Sequence, residues 1–298
     1  MPLLDKKYFL TGASGFVGKS LLSFLGEDNF QIWKRNEAFQ LDGIVSVIHL
    51  AGKAHDLKNT SASQEYYEVN TELTKKVFDA FLESEAKVFI TLSSVKAVAD
   101  QVEGELTEQY NPNPITHYGK SKLLAEQYIL SQPIPEGKRV YILRPCMIHG
   151  PGNKGNLNLL YKLVSKNIPW PLGDFKNNRS FCSIDNLMFI FNELIEREDI
   201  PSGIYNLADD EPLSTNELIG LIAQSQNRKP KVWNFSKRFI EGIASIGDKL
   251  HLPLNTDRLQ KLTSSYVVSN AKIKAALGKP LPVSSREGLL KTFKSFNS

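Results

Sequence analysis

Three glycines spaced three apart, Gly12, Gly15 and Gly18, lie in the stretch YFLTGASGFVGKS at residues 8–20. They constrain the fold more than any other feature of the chain. A short apolar run ends at Thr11, the glycines follow, and Leu21, Leu22 and Leu25 then recur at helical spacing. That order is strand, tight turn, helix. It suits a parallel α/β sheet in which an anion sits against bare backbone at a helix N-terminus. Gly12 would make the turn, Gly15 would admit a phosphate, and Gly18 would let helix and strand pack closely. Ser14, Phe16 and Val17 would complete the cradle with their backbone. The spacing is G-x-x-G-x-x-G rather than G-x-G-x-x-G. Read alone, it also fits a strand-to-helix turn with no ligand.

The rest of the chain keeps the alternation. Phe30–Trp33 reads as a second strand. Ile44–Leu50 (IVSVIHL) is a near-continuous apolar run, as expected of a strand covered on both faces. Val88–Leu92 and Arg139–Leu143 read as further parallel strands. Helices are expected over Gln64–Glu83, with Tyr67, Leu73, Val77 and Leu82 inward, and over Tyr118–Ser131. The link from Arg35 to Ile44 is too short for a crossover helix, so either the second strand is displaced or the sheet is trimmed at that edge. Beyond His149–Gly152 the pattern loosens. Helices are expected over Asn156–Lys166, over Asn186–Glu196 with Asp185 as N-cap, from Ser214 or Thr215 through Ser225, over Ile273–Leu277, and over Ser285–Phe296. Short strands are expected at Phe181–Ile184 and Tyr205–Leu207, and residues 228–262 are mixed. The expected fold is α/β: a Rossmann-type parallel sheet with helices on both faces over residues 1–150, sheet elements returning near 179–208, and a smaller C-terminal substrate-binding lobe over 151–298.

Composition narrows the function. The formal charge of +4 is made of interspersed signs, which demands no nucleic acid partner. Cys146 and Cys182 alone form neither a disulfide framework nor a metal motif, so no metal is expected and a reducing compartment is. Asp5, Lys6 and Lys7 interrupt any early apolar run, and no apolar stretch is long enough to span a bilayer. A cytoplasmic protein without membrane insertion follows, acting from solution even on membrane-bound glycans.

The chemistry-bearing residues fall at strand ends. Lys34 and Arg35 close the second strand where NAD sites carry an acid; positive charge there suits the extra phosphate of NADP, and a solvated strand end explains it equally. Leu50 ends the third strand, and the small pair Ala51 and Gly52 after it would let a flat ring or ribose pass close to backbone. Asn70 is a polar residue in the following helix. His49 and His55 read as structural. Ser93 and Ser94 close the next strand, and Tyr118 and Lys122, four apart, share a helix face. A phenol has a pKa of about 10, and a neighbouring ammonium favours phenolate. Serine, tyrosine and lysine so placed suit proton relay at an oxygen whose carbon exchanges hydride with a nicotinamide.

With these residues in place, the sequence resembles the extended short-chain dehydrogenases/reductases of the NAD-dependent epimerase/dehydratase family. The resemblance rests on TGASGFVG at 11–18, IHLAG at 48–52, Asn70, LSS at 92–94, YGKSK at 118–122, RP at 144–145, HGPG at 149–152 and RSFCSIDNL at 179–187. It implies Ser94, Tyr118 and Lys122 as the catalytic set and a cofactor site that includes Pro145. It also implies a UDP-sugar whose pyrophosphate is gripped by Arg179 and Arg258. Asn156 and the backbone near Leu157 and Pro169–Leu172 would hold the uridine end, and a homodimer would form through helices near 66–83 and 118–130. The run SSVKAVAD lacks the VYG of epimerases and the acidic pair of dehydratases. It resembles reductases of UDP-4-keto-6-deoxy-N-acetylhexosamines, which make precursors for bacterial surface glycans such as lipopolysaccharide. Lys96 would then touch substrate or shape the pocket. NADP(H) is the favoured cofactor and NAD(H) the other. A UDP-N-acetylhexosamine 4-epimerase is the nearest alternative, and a non-catalytic NADP-binding regulatory or scaffold protein is the alternative of another class.

Overall fold

A computed structural model describes residues 7–53, 63–153, 155–250 and 255–296. In chain order the first half lays down β1 (Tyr8–Thr11), α1 (Phe16–Leu25), β2 (Phe30–Ile32), β3 (Ser46–His49), α2 (Ser63–Tyr66), α3 (Leu73–Glu83), β4 (Val88–Leu92), β5 (Glu105–Leu106), α4 (His117–Ser131), β6 (Arg139–Pro145) and β7 (Met147–His149). The second half adds α5 (Asn156–Ser165), β8 (Phe181–Ser183), α6 (Ile184–Glu196), β9 (Gly203–Leu207), α7 (Thr215–Ser225), α8 (Lys237–Leu250), α9 (Thr256–Thr263), β10 (Val267–Val268), α10 (Ala271–Leu277) and α11 (Ser285–Ser295).

Strands β2, β1, β3, β4, β6 and β9 lie side by side in that order, all parallel. The expected Rossmann-type sheet is therefore present, with α6 and β9 supplied by the second half of the chain. The short link after β2 resolves to a trimmed edge. Residues 33–45 cross from β2, on one side of β1, to β3 on the other with no helix. Trp33, Phe39, Leu41 and Ile44 of this link pack with Phe9, Val47 and Phe78. Loop side chains thus cover the face that a crossover helix would otherwise cover.

The larger apolar clusters lie in two places, with a smaller one around Val98, Leu106 and Val268. One part lies on the sheet, where Leu10, Ile48 and Ile90 meet Leu187, Phe191 and Leu194 of α6 on one face, and Val77, Phe78 and Phe81 of α3 cover the other. The second gathers α5, α7, α8, α9 and α11 around Trp170, Leu218, Ile222, Leu289 and Phe293.

Several local expectations shift. The helix expected over 64–83 contains a π-helical stretch at Tyr67–Glu72 between α2 and α3. The wider turn rotates the inward face, which becomes Tyr66, Asn70, Thr74, Val77, Phe78 and Phe81; Tyr67, Leu73 and Leu82 are only half-buried. Asp185 is not the N-cap of α6. Ser183 caps it, and Asp185 sits in the first turn, paired with Lys291. Ser214 caps α7 in a reciprocal box with Glu217. The segment 228–262, read as mixed, contains α8 and all but the last residue of α9, two helices that the sequence reading missed.

Candidate active site

The site is assembled where β1, β3 and β4 end. Gly12 adopts φ +76°, and a Cβ there would lie 2.5 Å from the Leu50 carbonyl carbon and the Ala51 nitrogen. Only glycine permits that turn against the end of β3. Gly18 packs α1 onto the same turn, since its Cβ would meet Gly12 O at 2.3 Å. Gly15 differs: its Cβ would meet only Gly12 O, at 3.3 Å, which leaves that side of the turn open. Gly15 is the N-cap of α1, which begins Phe16, Val17, Gly18 with no side-chain cap and no acid in its first turn. Uncapped amides beside an open glycine fit the pyrophosphate of a dinucleotide. Ser14 is exposed beside them.

Beneath the turn runs a buried polar chain. Ala51 N donates to Thr11 Oγ1 at 3.1 Å, Thr11 Oγ1 and His49 Nδ1 are 2.7 Å apart, His49 Nε2 and Thr74 Oγ1 are 2.9 Å apart, and Thr74 Oγ1 donates to Asn70 O at 2.8 Å. Burial, with Lys122 nearby, lowers the His49 pKa to about 3, so the ring is neutral and structural, as expected. His55 lies outside the described residues. Because His49 protonates more readily when unfolded, its contribution is complete above the ordinary histidine range and is lost as pH falls towards 3. In urea unfolding, the stability gap between wild type and His49→Gln should narrow between about pH 6.5 and 3, by about 1.4 kcal/mol per pH unit.

Asn70, in the π-helical stretch, is fully buried. Its Oδ1 accepts from Lys53 N at 2.8 Å, and its Nδ2 donates to Lys53 O at 3.1 Å and to Ser121 Oγ at 3.0 Å. It therefore ties the Ala51–Lys53 segment to α4. Ser121 in turn donates to Tyr118 O at 2.8 Å. A Cβ on Gly52 would lie 3.1 Å from both Asn70 Oδ1 and Lys122 Nζ.

Thr116 caps α4 by accepting from Gly119 N. Gly119 is a site residue that sequence reasoning missed. A Cβ there would lie 2.3 Å from Lys96 O, so its absence lets the start of α4 close on the turn after β4. That approach brings Tyr118 into hydrogen-bonding contact with Ser94. Ser94 is buried, and its Oγ also accepts from Lys96 N. Burial raises the Tyr118 pKa, opposed by the Ser94 bond, and Tyr66, 6.2 Å away edge to face, adds to the rise. The expected lowering by Lys122 is not found: what opposes burial at Tyr118 is the Ser94 bond. Lys122 is itself buried, donates to Leu92 O at 2.8 Å, and has its pKa lowered to about 8, with Glu126 pulling it back up.

Glu126 was also missed. It stands one turn beyond Lys122 and is bridged by Arg144 of β6, whose Nε lies 2.9 and 3.2 Å from its two carboxylate oxygens. Both side chains are 3% exposed or less. The signal was available as the i, i+4, i+8 series Tyr118, Lys122, Glu126 and a lone arginine after the apolar run VYIL. Pro145 is buried and pairs with Leu207 of β9.

The remaining candidates are dispersed. Lys34 and Arg35 are exposed at the end of β2 and carry no ion pair among the described residues. Lys96 turns from Ser94 to donate to Asp100 O at 2.9 Å, with its ammonium 4.3 Å from the Tyr266 ring centroid. Arg179 caps the end of α9, donating to Lys261 O, Ser264 O and Ser264 Oγ and leaving Nη1 without a partner among the described residues. Arg258 is exposed on that same helix. Asn156 is exposed at the start of α5, whereas the side chains of Leu157 and Leu172 are buried in the second core.

Comparison with known proteins agrees with this geometry. UDP-glucose 4-epimerase of Vibrio cholerae is 28% identical, the alignment covering 98% of this chain and 96% of that protein. GDP-6-deoxy-D-mannose reductase of Pseudomonas aeruginosa is 25% identical over 74% of this chain and 80% of its own length. The solved structure of MoeE5 in complex with UDP-glucuronic acid and NAD superposes with a TM-score of 0.74 at 20% identity, covering 98% of this chain and 99% of that one. The model of the NAD dependent epimerase/dehydratase family matches residues 8–208. With the glycine turn, the β4 serine and the α4 tyrosine and lysine drawn together, this chain is an enzyme and belongs to the NAD dependent epimerase/dehydratase family.

Proposed function

We propose that the enzyme reduces the C4 ketone of a UDP-linked 4-keto-6-deoxy-N-acetylhexosamine, using NADPH or NADH, in the synthesis of bacterial surface polysaccharide precursors. The observation that carries this reading is the cluster at the end of β4. Ser94 bonds Tyr118, Lys122 follows one turn on, and the turn after Ser94 holds Val95 and Lys96 rather than the acids a dehydration needs.

A bound reduced nicotinamide supplies the hydride. Tyr118 donates its proton to the ketone oxygen as that oxygen becomes a hydroxyl, and Ser94 holds the oxygen in place. Lys122, anchored on Leu92 O, places positive charge near the phenol and offers its remaining donors beside Gly52 to the nicotinamide ribose. The cofactor would lie along Gly12, Ser14–Gly18, Leu50–Gly52, Asn70 and Pro145, with Lys34 and Arg35 favouring NADPH through its extra phosphate. Arg179, through its Nη1, and Arg258 on the helix that Arg179 caps would grip the diphosphate. Asn156 and the backbone at Leu157 and Leu172 would hold the uridine. Lys96, held by Asp100 O and Tyr266, shapes the pocket wall. A homodimer through α3 and α4 would cover Leu124 and Leu130, which are 45% and 57% exposed.

Purified protein given UDP-4-keto-6-deoxy-N-acetylglucosamine should consume one reduced nicotinamide per product, faster with NADPH than with NADH. The second reading, a UDP-N-acetylhexosamine 4-epimerase, is favoured by the activity of the Vibrio cholerae relative. It predicts protein purified with NAD in place that interconverts UDP-N-acetylhexosamines with no net consumption. That result would replace the reductase reading.

A further inference from the structure

Helix α8 is apolar over a wider arc than its packing uses. Ile240, Ala244 and Gly247 are buried, the first two in the second core with Leu259 of α9. Phe239, Ile243, Ile246 and Leu250 fall within about 60° of one another around the helix axis, beside that buried set. They are 55%, 37%, 55% and 64% exposed. The stripe continues into the preceding segment through touching rings. Trp233 and Phe235 lie 5.9 Å apart edge to face, and Phe235 and Phe239 lie 5.8 Å apart. Trp233 is 53% exposed. Cations border it: Arg228, Lys229 and Lys231 before the aromatic residues, and Arg238 and Lys249 on the helix, all exposed, whereas Lys237 lies on the far side of the helix by the Phe175 ring. They outnumber the acids of the same stretch, Glu241 and Asp248, and Asp248 is already engaged by Thr256.

We propose that this face seats on an anionic lipid bilayer. Trp233, Phe235 and the α8 stripe enter the boundary between headgroups and acyl chains, while the flanking cations meet lipid phosphates. An apolar arc bordered by lysine and arginine, with aromatic rings at its end, is what an interfacial helix requires. A bilayer needs no shaped pocket, and the arc is a convex stripe. No helix among the described residues is long and apolar enough to cross a membrane, so the contact is peripheral. Its position matters to access. The segment carrying Trp233 is bridged to Trp170 and Leu172, and α8 packs on α9, which carries Arg258. The membrane face therefore adjoins the second lobe rather than the glycine turn. The proposal does not depend on which sugar is reduced or epimerised.

Vesicle co-sedimentation tests it on the full chain. Wild type should pellet with vesicles of phosphatidylcholine and phosphatidylglycerol, and at least about tenfold less with phosphatidylcholine alone or in high salt. Phe239→Ser/Ile246→Ser should lose at least about tenfold of that binding while keeping its melting temperature and nicotinamide affinity. Lys231→Glu/Arg238→Glu should weaken it without touching the apolar stripe. Wild type left in the supernatant with both vesicle types overturns the proposal, as does a serine variant that pellets like wild type. Size-exclusion chromatography adds one further outcome. A dimer split by the serine substitutions, with no vesicle binding by wild type, would make the face an interface between copies and overturn the membrane reading.

Discussion

Tyr118→Phe is expected to lower turnover by about 10²–10⁴-fold, the usual worth of a positioned general acid. Nicotinamide affinity should change little. The substitution removes one hydroxyl and leaves the ring, so the edge-to-face contact with Tyr66 and the closure of α4 on the Ser94 turn persist. The proton donor is lost, together with one of the two partners of Ser94. Fluorescence titration with NADPH separates the two effects. Intact binding with lost turnover is the expected pair, and full turnover would remove Tyr118 from the mechanism. Burial holds the phenol above its ordinary range, so in the protein alone it is protonated through neutral pH, as a donor must be.

Arg144→Met should destabilise the fold by about 3–5 kcal/mol, because it strands the Glu126 carboxylate in a dry interior. Pairing it with Glu126→Leu should restore most of that loss, since two apolar side chains need no solvation. Urea unfolding of the two single variants and the double variant closes the cycle. The double variant carries a second expectation. Glu126 raises the Lys122 pKa against burial, so its removal should move the Lys122 break in the pH–rate profile below about 8. With folding restored, that shift reports electrostatics rather than collapse. An unshifted profile would leave the pair a purely structural tie between β6 and α4.

The sheet and the glycine turn were legible because their signals are local. IVSVIHL and VFITL are nearly continuous apolar runs, as expected of strands covered on both faces, and the glycines stand in one short turn. Ser94, Tyr118 and Lys122 were legible as types at strand and helix ends. How they meet was not. The contact depends on Gly119 lying against Lys96 O and on Asn70 bridging residues 53 and 121, and each of these joins segments distant in sequence. The π-helical stretch that turns Asn70 inward leaves no mark in the hydrophobic period. Arg144 and Glu126 each leave a local signal, but their pairing exists only once β6 and α4 pack together. Arg179 was read as a phosphate ligand, and its engagement of the α9 carbonyls could not be anticipated while α9 itself was unrecognised.

The trimmed sheet edge separates two tasks. Lys34 and Arg35 ride on a linker that touches one face of the sheet through a few side chains and contributes no helix to the architecture. Residues 34–37 can therefore be rewritten at small thermodynamic penalty, whereas a single change in the buried ion pair that ties α4 to the interior carries a large one. The proposed grip on the extra phosphate can thus be gained or lost without renegotiating how the chain folds.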